Sequence, residues 1–345
     1  MKKITFVFPA SPGFEAAAAV AAVIQRAGFA AYLVGGAVRD AVAGYPPLDH
    51  DLATSARPEE LQTLFPELKT VGAAFGVSLL EFKGVSLEIA TFREERNYLD
   101  GRHPELVCHT RDAGLDVLRR DFTVNALLYD PVAGEIVDYV GGLEDVRRGV
   151  IRTVGDPAAR FGEDYLRMLR AIRFAARLGF EIDPATWRAI REFAPLTARL
   201  AAERVREELT GMLLGPAPAR ALRLLHDGGL LEVLLPEVAV LDTVDQPPDF
   251  HPEGNVFRHT LLMLDHLVAP SVELAWSVLL HDVGKALAQS LDETGRIRFF
   301  GHEAAGAEIA DAILRRLRFS TASIELVVSS VRRHMHFAQV GNMKK

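Results

Sequence analysis

The sequence predicts an α+β protein with a strand-and-helix head followed by a long helical region. Short apolar runs alternate with helical patterns over residues 30–92, and strand patterns nearly vanish after about residue 156. Proline- and glycine-containing breaks at residues 215–218 and 246–248 interrupt the helical part. At 345 residues the chain exceeds one typical domain, so we expect two or three.

Composition excludes several classes of protein. Apolar residues make up 49% of the chain, yet no run approaches the ~20 residues needed to span a bilayer. The first twelve residues lack the long apolar core and cleavage site of a signal peptide. The single cysteine, Cys108, is expected in a half-buried strand and favours a reducing cytoplasm. The net charge of −7 argues against a uniformly basic nucleic-acid binder, although eight arginines lie within residues 147–177.

A glycine turn separates a predicted strand from a predicted helix near the start of the head. Residues 31–34 form an apolar run, Gly35 and Gly36 turn the chain, and a helix is predicted from Ala37. Glycines let backbone amides approach a phosphate closely, and a helix N-terminus favours negative charge. Because such a turn alone is usually only a turn, its meaning depends on the residues that accompany it.

Acidic residues accompany this turn. Asp49 and Asp51 are two residues apart, a spacing that points both carboxylates to one face of a strand. Glu88 lies in an alternating strand pattern and becomes a third carboxylate if the two strands pair; otherwise it is an exposed strand residue. Three acids can hold two metal ions, one activating a hydroxyl and the other neutralising a triphosphate. The pattern predicts phosphoryl or nucleotidyl transfer.

Paired arginines lie in the segment RRDFTVN, residues 119–125, inside a helix predicted over residues 116–128. Arg119 and Arg120 would suit the binding of a triphosphate or of a primer. The alternative is ordinary capping of the helix by Asp121 beside a surface charge pair.

A second arginine-rich helix is predicted to begin near residue 161. Asp164 and Arg167 are three residues apart and share a helical face, which Arg170 and Arg173 continue. An aspartate accepts from an exocyclic amine and an arginine donates to ring acceptors, so the first pair would suit the Watson–Crick edge of C or A. A salt bridge on a solvated helix is the common alternative.

The order of these motifs closely resembles that of the class II tRNA nucleotidyltransferase and bacterial poly(A) polymerase family. The motifs are LVGGAVRD from residue 33, DHDLAT from 49, RRDFTVNAL from 119, GGxxD from 141 and EDxxRxxR from 163. The resemblance covers roughly residues 15–215 and implies a polymerase-β-like nucleotidyltransferase head with a small mixed sheet, then an all-helical neck and body. It also implies template-independent addition of CMP and AMP, from CTP and ATP, to the 3′ end of tRNA. A-adding enzymes and poly(A) polymerases share the motifs, so these alternatives stay open.

The same resemblance assigns roles to individual residues. It implies two Mg²⁺ ions at Asp49 and Asp51, with Glu88 where the family has its third acid. The implied nucleotide-binding residues are Gly35, Gly36, Arg39, Arg120, Asp164, Arg167, Arg170 and Arg173. Among these, Asp164 and Arg167 would select the base. Residues 93–104, predicted to be a mobile loop, resemble the flexible loop that accompanies the switch from C to A addition.

The last part of the chain carries several histidines. The segment HDVGK, residues 281–285, follows the apolar run 274–280 and resembles the helical HD metal-phosphohydrolase fold. Candidate ligands for a transition metal are His259, His281, Asp282, His302 and His334. The final aspartate usual in HD sites is not evident, so we expect an incomplete HD-like domain. It is either a metal-dependent phosphohydrolase, with a head that only binds nucleotide, or a helical domain that positions RNA.

Three parts are therefore predicted along the chain. Residues 14–150 form the catalytic head, residues 151–215 a helical neck for nucleotide selection and RNA binding, and residues 216–345 the helical body with its HD-like domain. The expected partners are the tRNA 3′ end, CTP and ATP, with no membrane. The sequence leaves the oligomeric state open.

Overall fold

The structure, a computed structural model, describes residues 1–47, 49–71, 76–98, 104–247 and 251–338. It divides into two compact units. The first comprises Met1–Arg167 and Phe180–Thr186, and the second comprises Met168–Gly179 and Trp187–Lys345. The predicted boundaries at residues 150 and 215 stay predictions. Among the described residues, no helix combines the length and the apolar character that crossing a membrane requires.

Strands of the first unit build the predicted mixed sheet. In chain order the strands are β1 (Lys2–Thr5), β2 (Ala31–Val34), β3 (Leu52–Thr54), β4 (Lys69–Thr70), β5 (Val77–Phe82), β6 (Val85–Thr91), β7 (Arg93–Tyr98), β8 (Pro104–His109), β9 (Leu128–Asp130), β10 (Glu135–Asp138), β11 (Val150–Ile151) and β12 (Glu181–Ile182). Within the described residues, eight strands form one sheet in the order β1-β10-β9-β2-β3-β6-β5-β4. In this sheet β3 and β6 run parallel and the other neighbours are antiparallel.

Helices cover the sheet and precede or follow its strands. Those that begin in the first unit are α1 (Pro12–Arg26), α2 (Gly36–Ala43), α3 (Pro58–Leu64), α4 (Ala113–Leu118), α5 (Gly142–Arg148), α6 (Pro157–Glu163), α7 (Leu166–Leu178) and α8 (Pro184–Phe193). Ser11 caps α1 by accepting from Phe14 N at 3.0 Å, with Pro12 in the first turn. Small side chains such as Ala17 and Ala21 form the buried face of α1.

The second unit is helical, as the sequence predicts. Its further helices are α9 (Ala202–Leu213), α10 (Pro218–Asp227), α11 (Leu231–Leu234), α12 (Pro236–Ala239), α13 (Val256–Asp265), α14 (Val272–Leu280), α15 (Lys285–Ala288), α16 (His302–Arg316) and α17 (Thr321–Ala338). A short hairpin, β13 (Ser290–Leu291) with β14 (Ile297–Arg298), interrupts them.

The helix predicted over residues 116–128 is wrong. Helix α4 ends at Leu118, a 3₁₀ turn covers Thr123–Asn125, and β9 follows. The reason is local hydrogen bonding: Asp121 Oδ1 accepts from Phe122 N at 2.8 Å and from Asn125 Nδ2 at 3.2 Å. Short polar side chains that bond neighbouring groups in this way compete with the helix.

The loop predicted over residues 93–104 is wrong in its described part. Strands β7 and β8 pair antiparallel from Arg93 opposite His109 to Tyr98 opposite Pro104, while residues 99–103 lie outside the described residues. A two-stranded hairpin needs backbone pairing but no apolar alternation, so the charged sequence conceals it. Cys108 lies in β8 as predicted, but it is exposed rather than half-buried.

Candidate active site and histidine cluster

The three predicted carboxylates come together beside the parallel strand pair. Leu52 of β3 is the register partner of Ile89 of β6, so Asp51 and Glu88, each one residue earlier, are neighbours across the pair. The main-chain carbonyl of Asp51 accepts from Val34 N at 3.0 Å. Asp49 and Asp51 both lie just ahead of β3, not within a strand as predicted. They line one cavity of about 320 Å³.

Electrostatics at this cluster favour a cation. Burial raises the pKa of Asp51 to about 6, and the negative charges of Glu88 and Asp49 add to the rise, while Arg120 opposes it. A divalent cation bound here would offset the repulsion between Asp51 and its neighbouring carboxylates. The donor set is all oxygen, which is what Mg²⁺ prefers. The residues therefore fit the magnesium site that the sequence predicts.

Binding of Mg²⁺ should release protons near pH 6. With a folded-state pKa of about 6, Asp51 is about half protonated at that pH, and Mg²⁺ displaces the proton. Titration calorimetry in two buffers of different ionisation enthalpy should therefore give about half a proton released per site at pH 6 and close to none at pH 8. Equal proton release at both pH values would contradict the raised pKa.

The residue between the two aspartates faces the start of α1. His50 is buried, and its Nε2 lies 3.3 Å from Ser11 Oγ. A Cβ atom at Gly13 would stand only 2.6 Å from His50 Nδ1, so the ring occupies the space that the glycine leaves. Burial lowers the pKa of His50, although Asp49 opposes the shift. This contact, which the sequence did not reveal, fixes the segment that carries both aspartates.

Changing Gly13 to alanine should therefore disturb the acids from a distance. The added methyl group displaces the His50 ring and shifts Asp49 and Asp51, and we expect about a tenfold to hundredfold loss of turnover. The control is the double variant Gly13→Ala/His50→Ala, compared with His50→Ala alone. In the His50→Ala background, where the ring is absent, Gly13→Ala should reduce turnover only slightly. An equal loss of turnover in the wild-type and His50→Ala backgrounds would contradict the contact.

The glycine turn has the geometry expected for anion binding. Gly35 has a φ of 68°, which favours glycine, and nothing lies within 4 Å of the position of a Cβ. Helix α2 begins at Gly36 without a side-chain cap, so its first N–H groups lack a capping acceptor. Arg39, by contrast, is buried: it pairs with Asp40 at 2.7 Å and donates to Asn125 Oδ1 at 2.5 Å. Arg39 thus links the segment LVGGAVRD to the segment RRDFTVN. Its contact with a triphosphate stays a prediction.

A buried carboxylate organises the paired arginines. Asp116 Oδ1 pairs with Arg119 Nη2 at 2.7 Å, and its Oδ2 pairs with Arg120 Nη2 at 3.1 Å. The Nε of Arg120 is buried and has no hydrogen-bond partner among the described residues. Since Arg120 also lowers the pKa of Asp51, it is a basic group close to the acids with a donor to spare.

Asp164 and Arg167 do not lie on the same helix, contrary to the prediction. Asp164 sits in extended backbone between α6 and α7, and its Oδ1 accepts from Leu166 N at 3.0 Å. Arg167 pairs with Glu163 instead, and also donates to the carbonyls of Arg160 at 2.9 Å and Arg119 at 3.3 Å. Asp164 interrupts the predicted helix because its side chain, in place of a main-chain carbonyl, accepts the hydrogen bond from an amide in the first turn of α7. Their predicted base selection is untested by this arrangement.

The two later arginines share one acid in the second unit. Arg173 Nε donates to Glu208 Oε2 at 2.6 Å, and Arg170 Nη1 lies 4.0 Å from Glu208 Oε1. Both guanidinium groups lie over the ring of Phe174, that of Arg170 at 5.2 Å and that of Arg173 at 4.9 Å from its centroid. Their support of a nucleotide stays a prediction.

All five predicted ligands of the HD-like site converge in the second unit. Asp282 is buried, with His281 Nε2 at 3.1 Å, His302 Nε2 at 3.4 Å and His334 Nε2 at 3.6 Å from its carboxylate oxygens. Ligand atoms of His259, His281 and Asp282 also lie within 4.8 Å of one another. Asp282 is thus shared by two possible three-residue metal sites, one with His259 and His281 and one with His302 and His334. This arrangement suits a carboxylate that binds two ions.

Ring orientation fits metal binding. The Nδ1 atoms of His281, His302 and His334 lie 2.8, 2.7 and 2.6 Å from the carbonyls of Val278, Phe299 and Val331, each three residues earlier. A proton on Nδ1 leaves Nε2 with a lone pair. The Nε2 atoms of His302 and His334 then face each other at 3.1 Å, and two lone pairs at that distance require a shared proton or a cation.

Sequence reasoning missed four polar residues around this cluster. His251 and Glu253 precede α13 and form a further group with His259, while Lys285 pairs with Asp282 at 2.7 Å and donates to Gln246 Oε1 at 2.7 Å. Burial opposes ionisation of Glu253, but hydrogen bonds from its own amide and from His251 and His259 outweigh it and lower its pKa to about 2. The sequence signal for these residues is His251-x-Glu253, which lies shortly before α13.

Three family models match separate stretches of the chain. Models match for the "Poly A polymerase head domain" over residues 31–152, the "Probable RNA and SrmB- binding site of polymerase A" over 179–241 and the "HD domain" over 256–342. The CCA-adding enzyme of Geobacillus stearothermophilus is 45% identical over 219 residues, 64% of this chain and 54% of that relative. That of Anoxybacillus flavithermus is 43% identical over 226 residues, 66% and 56% of the two chains.

One solved structure extends the similarity over nearly all of the chain. The Bacillus stearothermophilus CCA-adding enzyme in complex with CTP is 31% identical, with a TM-score of 0.66, and the match covers 96% of this chain and 83% of that one. The chain spans about half the length of the curated relatives it matches.

Proposed function

Because this chain belongs to the family of class II tRNA nucleotidyltransferases and bacterial poly(A) polymerases, we propose that it adds CMP and AMP to the 3′ end of tRNA. The observation that carries the proposal is that the register of the parallel pair places Glu88 opposite Asp51, while Asp49 and Asp51 line one cavity. CTP and ATP are the proposed substrates, and the cytoplasm, consistent with the single cysteine, is the proposed location.

The reaction is nucleotidyl transfer. The 3′-oxygen of the RNA forms a bond to the α-phosphorus, the α–β bridging bond breaks, pyrophosphate leaves, and the hydroxyl proton passes to solvent. Mg²⁺, when bound, supplies activation of the hydroxyl and neutralisation of the triphosphate. Asp49, Asp51 and Glu88 would hold it. The amides at Gly35 and Gly36 and the guanidinium of Arg120 would orient the triphosphate.

In this proposal Asp164 and Arg167 select the base, and Arg170 and Arg173 support the bound nucleotide. Both guanidinium ends of Arg167 are held by protein acceptors, so the residue is rigid. A rigid arginine favours discrimination between ring edges, because little side-chain entropy is lost when a base docks. The proposal predicts a change in C and A preference when Arg167 is altered.

Nucleotide incorporation on defined RNA ends tests the proposal. The protein is incubated with tRNA lacking its 3′-terminal CCA and with radiolabelled CTP, then with tRNA ending in CC and radiolabelled ATP. Incorporation of both nucleotides supports CCA addition. Incorporation of AMP alone favours an A-adding enzyme or, on unstructured RNA, a poly(A) polymerase, and no incorporation overturns the proposal.

A second candidate function is metal-dependent phosphohydrolysis by the HD domain. The convergence of His259, His281, His302 and His334 on Asp282 favours it, because neutral imidazoles with one carboxylate are ligands for transition metals. His281→Ala and Asp51→Ala separate the two functions. Hydrolysis should disappear only in the first variant and nucleotide incorporation only in the second. A domain that positions RNA without holding metal would show neither hydrolysis nor metal binding.

A further inference from the structure

His259 is oriented differently from the other histidines of the cluster. The carbonyl three residues before it, that of Val256, accepts from the hydroxyl of Thr260 at 2.9 Å. His259 Nδ1 instead lies 2.6 Å from Glu253 Oε1. Because an ionised carboxylate only accepts hydrogen bonds, Nδ1 of His259 must be the donor. Its proton is therefore on Nδ1.

This tautomer matters because of what faces the ring. With the proton on Nδ1, Nε2 presents a lone pair, and a ligand atom of His259 lies within 4.8 Å of those of His281 and Asp282. We propose that Glu253 is a positioning residue for a divalent transition-metal ion bound by His259, His281 and Asp282. The inference rests on the metal-binding role proposed for the cluster.

The segment that carries Glu253 is built to hold it in place. His251 Nδ1 donates to the same oxygen of Glu253 at 3.0 Å, and His251 O accepts from Gly254 N at 3.1 Å. Asn255 caps α13 by accepting from Arg258 N at 2.9 Å, and its Nδ2 donates to the Asp242 carbonyl at 2.8 Å. Glu253 and His259 are about four-fifths buried, with side chains 18% and 20% exposed.

The expected effect follows from this arrangement. A carboxylate that accepts from a ligating imidazole fixes the ring and raises the basicity of the nitrogen that binds the ion, and loss of such a partner weakens metal affinity about 10- to 100-fold. Glutamine at position 253 keeps the shape but removes the charge. It also allows the amide to donate to Nδ1, which would place the lone pair on the wrong nitrogen of His259.

Cobalt titration tests the inference on the full chain after removal of metal by a chelator. The visible absorption of imidazole-bound Co²⁺ is followed for the wild type, Glu253→Gln and Glu308→Gln, the last being a control because Glu308 is an exposed glutamate of α16. His281→Ala defines which part of the signal comes from this cluster. Glu253→Gln should bind Co²⁺ about 10- to 100-fold more weakly, and Glu308→Gln should match the wild type.

The outcomes separate this inference from the proposed metal centre. If the wild type shows no Co²⁺ signal that His281→Ala abolishes, the centre itself is overturned, and the inference with it. If the wild type binds and Glu253→Gln binds equally well, only the role of Glu253 is overturned. Circular dichroism of the metal-free variants checks folding. A lower melting temperature with unchanged Co²⁺ affinity shows a merely structural residue, and an unfolded variant is replaced by Glu253→Asp, which keeps the charge.

Discussion

Replacing Asp51 with asparagine should lower CMP incorporation about a thousandfold and yet raise the thermal stability of the metal-free protein at neutral pH. Activity falls because the variant loses a carboxylate that would hold Mg²⁺. A bound metal ion contributes several kcal/mol of transition-state stabilisation, and each tenfold in rate corresponds to about 1.4 kcal/mol.

The gain in stability follows from the pKa of the same group. Burial, together with the charges of Glu88 and Asp49, raises the pKa of Asp51 to about 6 from the ordinary 3.8. A carboxyl that binds its proton more tightly in the folded state is unfavourable there when ionised. The gain from asparagine is therefore full above about pH 6 and shrinks as the pH falls toward 3.8.

Thermal melts in a chelator, repeated at several pH values, measure the stability, and incorporation of radiolabelled CMP measures the activity. The control is Glu81→Gln, which removes an exposed carboxylate from β5. It should leave both quantities near the wild-type values. Loss of activity together with loss of stability in Asp51→Asn would indicate a structural aspartate and contradict the assignment.

The parts of the head that the sequence predicts correctly are those with strong local patterns. The apolar run 31–34 is a buried strand, and Gly35, which follows it, has a positive φ that few other residues adopt. The pairing that brings Glu88 beside Asp51 was a conditional expectation, and the parallel register of β3 and β6 confirms it.

What the sequence could not predict depends on contacts between distant residues. His50 packs where Gly13 leaves space, 37 positions earlier in the chain, and no local pattern encodes that distance. The ends of α6 and α7 were missed for a different reason: a capping aspartate and a helical aspartate have the same spacing to Arg167. For Glu253, the deciding fact is that His259 Nδ1 lies beside its carboxylate, whereas the carbonyl of Val256 accepts from the hydroxyl of Thr260.

Arg167→Ala should change the choice between CTP and ATP more than it changes the affinity for tRNA. An arginine that donates two hydrogen bonds to a base is worth about 1–3 kcal/mol of discrimination, so the CTP-to-ATP preference should shift about 5- to 150-fold. The carbonyls of Arg160 and Arg119 accept hydrogen bonds from the two ends of this guanidinium and so fix its orientation.

Single-nucleotide incorporation with each triphosphate gives the preference, and filter binding of tRNA gives the affinity. Arg147→Ala is the matched control, since Arg147 is an exposed arginine in the last turn of α5. It should leave the preference unchanged and weaken tRNA binding slightly at most, by loss of one positive charge. Arg167→Lys keeps the charge but loses the planar two-donor group, so it should resemble Arg167→Ala in preference. A collapse of tRNA binding with an unchanged preference would instead place Arg167 on the RNA backbone.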